Sequence, residues 1–433
     1  MNPRRGILAL AFDARLGTIV WGKFFSATAF WMTTVMVGIL IYEWTGSALM
    51  VALASVFQLV PQFFLAPLSG AWADQGRVVR QVVVGRTLIA TGAAGVAAWL
   101  TWATASPGID IAVLLAGCMV SGLGFALGGP PLQSIVPEIV ERSELSTAMA
   151  LNTAPFTVTA VVGPALAVIV ASEFGVAAVF WIAVGVHLGF AVAILLARLP
   201  SPPRVDADLS VRAGVRYVRS NRKVLVILAV LAGAACAAEP VVTLAPALSD
   251  AVGGGRDAVG YITGSFGAGA TLGLLSFGLV ARWFSSTGLS QLGALCLALG
   301  LFVVALAGAL PQVLVGCAVA GLGFTLATST MSSLLQSCVP AHVRGRVMAM
   351  WMMAAFGVRP VAAAVAGFLA DAAGVPVATV LAAGIALMVA LLTWLHSAAL
   401  EQVERDFAEA GPPRDERPGG LVSPPAPETD CPR

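Results

Sequence analysis

"GLGFALGGPPLQSIVPEIVERSELSTAMA" occupies residues 122–150, and "GLGFTLATSTMSSLLQSCVPAHVRGRVMAM" occupies residues 321–350. Both open on Gly-Leu-Gly-Phe, reach Gln-Ser-x-Val-Pro, turn through charged residues and re-enter an apolar helix. The openings, Gly122 and Gly321, stand 199 residues apart (321 − 122). The chain is therefore one unit written twice, and the segments flanking each copy should fold alike.

Hydrophobic residues make up 58% of the 433 and charged residues only 11%, against about 25% charged in a soluble domain. Mean hydropathy is +0.91. So few polar groups cannot cover a water-soluble fold of this size, which makes the chain a polytopic membrane protein. The bilayer core admits only helices or a closed barrel. The apolar stretches are long and do not alternate, so an all-α fold is expected. Twelve spans are predicted, at 19–42, 48–71, 81–104, 110–133, 145–171, 175–197, 224–248, 258–283, 288–309, 312–335, 347–370 and 375–397. They divide the chain into a six-helix half (1–198), a cytoplasmic linker (199–223), a second six-helix half (224–398) and a disordered, proline-containing tail (399–433).

Several function classes are excluded. A net charge of +2 points away from nucleic acid. The six cysteines (Cys118, Cys236, Cys296, Cys317, Cys338 and Cys431) form no CxxC pair and have no clustered His, so packing is their expected role. No metal or cofactor is expected. "GGGR" at 253–256 lacks the Gly-Lys-Ser/Thr of a P-loop. With no His or acidic cluster, the chain is not read as an enzyme. "GILALAF" near the N-terminus is interrupted by Asp13 and Arg15 and is not read as a signal peptide.

Basic residues set the orientation. With the N-terminus inside, the cytoplasmic side receives Arg4, Arg5, Arg15, Arg77, Arg80, Arg142, the linker arginines, Arg282, Arg344 and Arg346. The outside receives Arg256 alone, among Glu43, Asp110, Glu173, Asp250, Asp257 and Asp371. Both termini are thus expected in the cytoplasm. Arginine far outnumbers lysine, with Lys23 and Lys223 the only two. That usage suggests a GC-rich bacterial genome, hence a bacterial inner membrane.

Over nearly its whole length the chain resembles the major facilitator superfamily. "GAWADQGRVVR" (70–80) is similar to the superfamily's signature between spans two and three, matched by Gly70, Asp74, Gly76, Arg77 and Arg80. The match departs in two places: a residue is missing between Asp74 and Gly76, and Gln75 follows the acid. "VPEIVERSELSTAMALN", "VPAHVRGRVMAM" and "VRAGVRYVRSNRKVL" resemble the branch of the enterobactin exporter and macrolide-efflux-like proteins. "GLVARWFSSTG" from Gly278 is a decayed second copy of the signature, with Arg282 in place of the acid. The resemblance implies two pseudo-symmetric six-helix bundles, a midplane site between them, alternating access and a monomer.

Gly70 and Asp74 are four apart and share a helix face. The resemblance places Asp74 against the N-terminus of span eleven, near 345–347, where exposed N–H groups favour an anion. Arg77 would pair with Glu138, and the cluster would latch the halves together on the inside. In the alternative reading, Arg77 and Arg80 only fix topology.

Charges within the bilayer cost roughly 2.5–3.5 kcal/mol on insertion scales. Two are expected to lie deep, Glu239 in span seven and Arg359 in span eleven, each followed by a proline (Pro240, Pro360) that can act as a hinge. One reading makes Glu239 the proton-titrating or cation-binding group and Arg359 its counter-charge. The other makes them a static pair. The first half is expected to hold no deep charge. Its cavity face would be built from Trp31, Thr33, Thr34, Gln58, Gln62, Gln133 and Asn152 with Phe30, Phe57 and Phe156. So apolar a face suits a lipophilic or amphipathic substrate better than a sugar.

Gly163 and Pro164 in "VVGPALA" are similar to the Gly-Pro motif of drug:proton antiporters, without its flanking glycines; an ordinary kink is the alternative. Gly269 and Gly273 stand at GxxxG spacing, which implies close helix contact. His187 is expected to be packed or lipid-facing. The linker helix sets Arg212, Arg216, Arg219 and Lys223 along one side, as for a helix lying on anionic lipid.

The function expected is proton-coupled efflux of a lipophilic or amphipathic small molecule, of the kind that confers multidrug resistance. The partners are substrate, protons and the lipid bilayer. The alternatives are a proton-coupled uptake symporter and a non-transporting membrane sensor.

Overall fold

The computed structural model describes residues 7–74, 77–103, 107–141, 144–200, 211–339, 347 and 350–402. Twelve long helices organise them: α1 (Leu16–Thr45), α2 (Ala48–Asp74), α3 (Val78–Trp102), α4 (Pro107–Ser134), α5 (Leu145–Phe174), α6 (Val176–Leu196), α7 (Arg222–Thr243), α8 (Gly255–Val280), α9 (Ser286–Ala305), α10 (Leu310–Cys338), α11 (Arg359–Ala373) and α12 (Val375–Leu395). Eleven are long and apolar enough to cross a bilayer, α11 when counted from Met350; in α5 the apolar part is Val158–Phe174. No strand occurs among the described residues. Apart from the start of α11, twelve residues later than the expected 347, the ends fall within five residues of those expected.

α7 and α11 differ from the uniform rods read in the sequence. α7 carries Pro240 inside it, stops at Thr243 and resumes as a short helix, Ala245–Ala251, with Pro246 in its first turn. α11 is preceded by a π turn, Met353–Gly357, and opens with Pro360 in its first turn. Proline removes an N–H and crowds the carbonyl four residues back. A wider turn there relieves the crowding, and such turns favour functional sites.

The repeated Gly-Leu-Gly-Phe is a packing device. A Cβ on Gly122 would strike the Gln58 carbonyl of α2, and one on Gly321 would strike the Phe266 carbonyl of α8. Gly124 presses on Gly85 of α3 just as Gly323 presses on Gly293 of α9. One short motif thus seats α4 against α2 and α3, and its copy seats α10 against α8 and α9. Gly269 and Gly273 lie against the backbone of α10, the close contact their spacing implied. The result is two pseudo-symmetric six-helix bundles. They meet along two seams, α2 on α11 and α5 on α8.

α6 and α12 lie outside the seams and leave Leu188, Val192, Leu195, Leu387, Met388 and Leu391 exposed. A helix apolar all round with such an outer surface is solvated by lipid. The described cysteines are all free, and Cys118 and Cys317 are buried; Cys431 lies outside the described residues. In the linker, Val211–Ser220 is helical, with Arg216 and Arg219 exposed and Val218 buried against the second bundle. The side chain of Arg212 and the tail beyond residue 402 lie outside the described residues.

Candidate transport site

Glu239 and Arg359 meet. Arg359 Nε donates to Glu239 Oε2 at 2.5 Å, and Thr243 Oγ1, one turn further along α7, donates to Glu239 Oε1 at 3.1 Å. The Glu239 side chain is 2% exposed and that of Arg359 25%. The acid is therefore sealed while the base keeps an open side. Pairing cancels the net charge that the bilayer would penalise. Removing one partner of a buried pair costs about 3–5 kcal/mol, because the other is left uncompensated.

The pair forms one wall of a narrow cavity of about 40 Å³ between the two bundles. Liquid water takes about 30 Å³ per molecule, so the cavity holds no organic substrate until helices part. The opposite wall comes from the first bundle: Phe30, Trp31 and Thr34 of α1, Ser55, Gln58, Leu59 and Gln62 of α2, Phe125 of α4 and Phe156 of α5. Phe30 stands 5.7 Å from Trp31, 5.8 Å from Phe125 and 6.3 Å from Phe156 between ring centroids. Trp31 Nε1 and Thr34 Oγ1 are buried without a hydrogen-bond partner among the described residues, so both can serve a ligand. A larger groove of about 600 Å³, between α3 and α4 at Trp99 and Trp102, opens on the side of the bundle and has no ionisable side chain.

Trp31, Gln58 and Gln62 thus line the cavity. Thr33 turns its hydroxyl back onto the Ala29 and Phe30 carbonyls of its own helix. Asn152 lies one turn below Phe156 and is 3% exposed. The side chains of Gln133, Gly70, Asp74 and Glu138 lie outside the described residues, as does Gly76, so the Arg77–Glu138 pair is not visible. Arg77 and Arg80 are exposed. Behind them Gln81 Nε2 bonds the Ser69 carbonyl at 2.7 Å, and Ser69 Oγ bonds the Leu127 carbonyl at 2.9 Å, tying α2, α3 and α4 together. A Cβ on Gly163 would strike Trp31 and come within 3.1 Å of the Thr28 carbonyl. Gly163 and Pro164 therefore bring α5 tightly onto α1.

The expectation that the first half holds no deep charge is corrected. Lys23 lies seven residues inside α1 and donates to Asn152 Oδ1 at 2.6 Å. Arg86 lies eight residues inside α3, is 6% exposed, and stacks on Phe190 with Cζ 4.9 Å from the ring centroid. His187 is 2% exposed. α1 and α3 each begin three residues earlier than expected. Those extra residues carry Lys23 and Arg86 away from the basic face and into the packed bundle.

At the acidic face the bundles are joined. Asp371, near the end of α11, accepts Ala48 N–H at 2.7 Å, Leu49 N–H at 3.1 Å and the Ser47 hydroxyl at 2.5 Å. It caps the first turn of α2, where free N–H groups favour a carboxylate. Gly367, one turn earlier, meets α2 so closely that a Cβ would lie 2.8 Å from the Ala48 carbonyl. Arg256 and Glu43 form a two-point ion pair, with Nε to Oε1 at 2.8 Å. Each side chain of that pair is 38% exposed, so it contributes at most about 1 kcal/mol. The cap is the stronger tie.

Two helical bundles closing over a central cavity with one buried ion pair define a membrane transporter of the major facilitator type. The chain belongs to the transmembrane secretion effector family, whose match runs over residues 12–418. It is 25% identical over 389 residues to the Multidrug efflux pump Tap of Mycolicibacterium fortuitum, covering 86% of this chain and 91% of that one. It is 27% identical over 401 residues to the Enterobactin exporter EntS of Escherichia coli, covering 90% and 94%. Its fold matches the crystal structure of the peptide transporter POT with a TM-score of 0.73 at 14% identity, covering 93% and 97%. The family and these relatives are transport proteins, not enzymes.

Proposed function

We propose that the chain is a proton-coupled exporter of lipophilic or amphipathic small molecules. The observation that carries this reading is the Glu239–Arg359 pair on the wall of a central cavity otherwise lined by aromatic and uncharged side chains. Protonation of Glu239 removes the ionic part of that contact and frees Arg359, whose open side already faces the cavity. Pro240 and the π turn before Arg359 place a flexible joint beside each member of the pair. The pair is thus positioned to convert a proton into a helix movement.

The export direction draws support from the efflux pumps to which the chain is similar. The arginine-rich face and both termini are placed in the cytoplasm, in a bacterial inner membrane, with a monomer as the working unit. Residues 1–198 and 224–398 rock about the seams, and the linker 199–223 lies on the inner leaflet. With the acidic face closed by Asp371, the cytoplasmic route is the one left to open. Asp74 closes it in the other half of the cycle, with Gly76, Arg77, Arg80 and Glu138 around it.

The test is flux in proteoliposomes under an imposed pH gradient, with a panel of lipophilic dyes and antibiotics and with Glu239→Gln alongside. Gradient-driven movement that is lost in the variant supports the reading. Movement with unchanged proton dependence in the variant removes Glu239 from coupling.

A further inference from the structure

Lys23, Asn152, Arg86 and His187 form a layer that the exporter mechanism leaves unused. Lys23, Arg86 and Asn152 lie seven, eight and seven residues past the starts of α1, α3 and α5, and His187 lies nine before the end of α6. At 1.5 Å per residue all four sit roughly 10–14 Å in from the basic face. The layer carries Lys23, Arg86 and one histidine. Among the described residues no carboxylate forms an ion pair with any of them. Arg86 reinforces the positive field at both Lys23 and His187.

The layer is built rather than accidental. A Cβ on Gly22 would fall on the Phe190 ring, so the glycine lets this α6 ring lie against α1 while it supports Arg86 of α3. Arg86 Nε is buried and donates to nothing among the described residues. Ion pairs or good hydrogen bonds normally accompany such groups in a membrane. Among the described residues, no negative charge stands against the lysine bonded to a neutral amide or the guanidinium beside it, and an acidic ligand would supply one.

The stripe containing Lys23 leads into the cavity. Residues 23, 27, 30 and 34 recur on one face of α1, and Phe30 and Thr34 line the cavity. On α5, Asn152 stands one turn below Phe156, which also lines it. Lys23 lies seven to eleven residues from Phe30 and Thr34, roughly 10–16 Å along α1.

We propose that Lys23 and Asn152, backed by Arg86, bind the acidic group of an amphipathic organic anion whose apolar body reaches up to the aromatic cluster around Phe30. A carboxylate or phosphate monoester fits this chemistry. An anionic lipid headgroup offers the same group, and the experiment separates the two sources. The inference rests on the transporter reading for what the anion is, but binding needs neither a gradient nor a direction.

The probes are tritiated lauroylglycine, a carboxylate, and its uncharged amide, lauroylglycinamide. Both are bound to the full chain in phosphatidylcholine nanodiscs, with empty discs subtracted. A charge-assisted hydrogen bond predicts roughly ten- to hundred-fold tighter binding of the carboxylate. The preference should vanish in Lys23→Gln and survive in Lys23→Arg and in the exposed-site control Arg282→Gln. If Lys23→Gln does not fold, the wild-type protein still answers: carbodiimide should couple bound lauroylglycine to the Lys23 amine, seen by mass spectrometry. Competition by phosphatidylglycerol that depends on Lys23 identifies lipid as the source, while unchanged binding assigns the site to substrate. Equal affinity for the two probes overturns the proposal, as does a preference that persists in Lys23→Gln or coupling that misses Lys23. A preference without gradient-driven flux leaves the site standing and removes export. Flux without a preference does the reverse.

Discussion

The Asp371 carboxylate of α11 accepts the Ala48 amide of α2 at 2.7 Å, across the seam between the two bundles. Asp371 ends the stretch "GFLAD" at 367–371, and "GAWAD" at 70–74 has the same Gly-x-x-x-Asp spacing at the far end of α2. At the acidic face, Gly367, one turn before the acid, lets α2 come close; the same role is proposed for Gly70. The α2/α11 seam thus carries such an element at its acidic end, and Asp74 is the counterpart proposed for its basic end.

Asp371→Ala should loosen the acidic face. It removes three bonds to one carboxylate, and solvent exposure limits the loss to about 1–2 kcal/mol, roughly a 5–30-fold change in the closed-to-open ratio. Nitroxide labels at Thr45 and Ala251, followed by pulsed spin-resonance distances, should show a new longer population. An unchanged distribution would mean that the cap does not hold the gate.

Asp74→Ala should loosen the opposite face. Labels at Arg80 and Arg282, both exposed and on different bundles, should then move apart. The two variants should shift the conformer balance in opposite senses. If both open the same face, the reciprocal arrangement is wrong.

Glu239→Ala and Arg359→Ala should each lower stability by about 3–5 kcal/mol, since each leaves one buried charge alone. The double variant Glu239→Gln with Arg359→Gln should be less damaging than either, because no charge remains. Thermal unfolding in detergent measures this. A double variant at least as unstable as the worse single one would show that the pair's geometry, not its charge balance, supports the fold.

Composition and the Gly-Leu-Gly-Phe repeat made the fold legible, because bilayer thickness fixes helix length and a duplicated motif fixes duplicated packing. Glu239 and Arg359 were legible because each is a lone charge far inside a long apolar stretch of sequence. Lys23 and Arg86 were not. Each lies only four or five positions inside its expected span, and a shift of three residues at the start of a helix decides whether such a residue lies near the surface or in the packed bundle. Asp371 read as one acid among several outside. Its role depends on which helix start it faces, and sequence spacing cannot say that for helices more than 300 residues apart. The π turn is equally hidden, since Pro360 announces a disturbance but not its form.

Glycines at equivalent places in the two bundles should respond alike. A Cβ on Gly124 or on Gly323 would strike a backbone carbonyl of the neighbouring helix, Gly85 or Gly293. A carbonyl cannot swing aside as a side chain does, so a whole helix must shift, at about 1–3 kcal/mol of overpacking. Gly185 of α6 and Gly384 of α12 are the controls, with nothing within 4 Å of their Cβ positions. Alanine there should be neutral or stabilise by up to about 1 kcal/mol through helix propensity. Unfolding midpoints of the four alanine variants test the pattern. Destabilisation at Gly124 but not at Gly323 would mean that the duplicated motif no longer does the same job in both bundles. Equal tolerance at all four would mean that close packing of α4 and α10 is not what the repeat preserves.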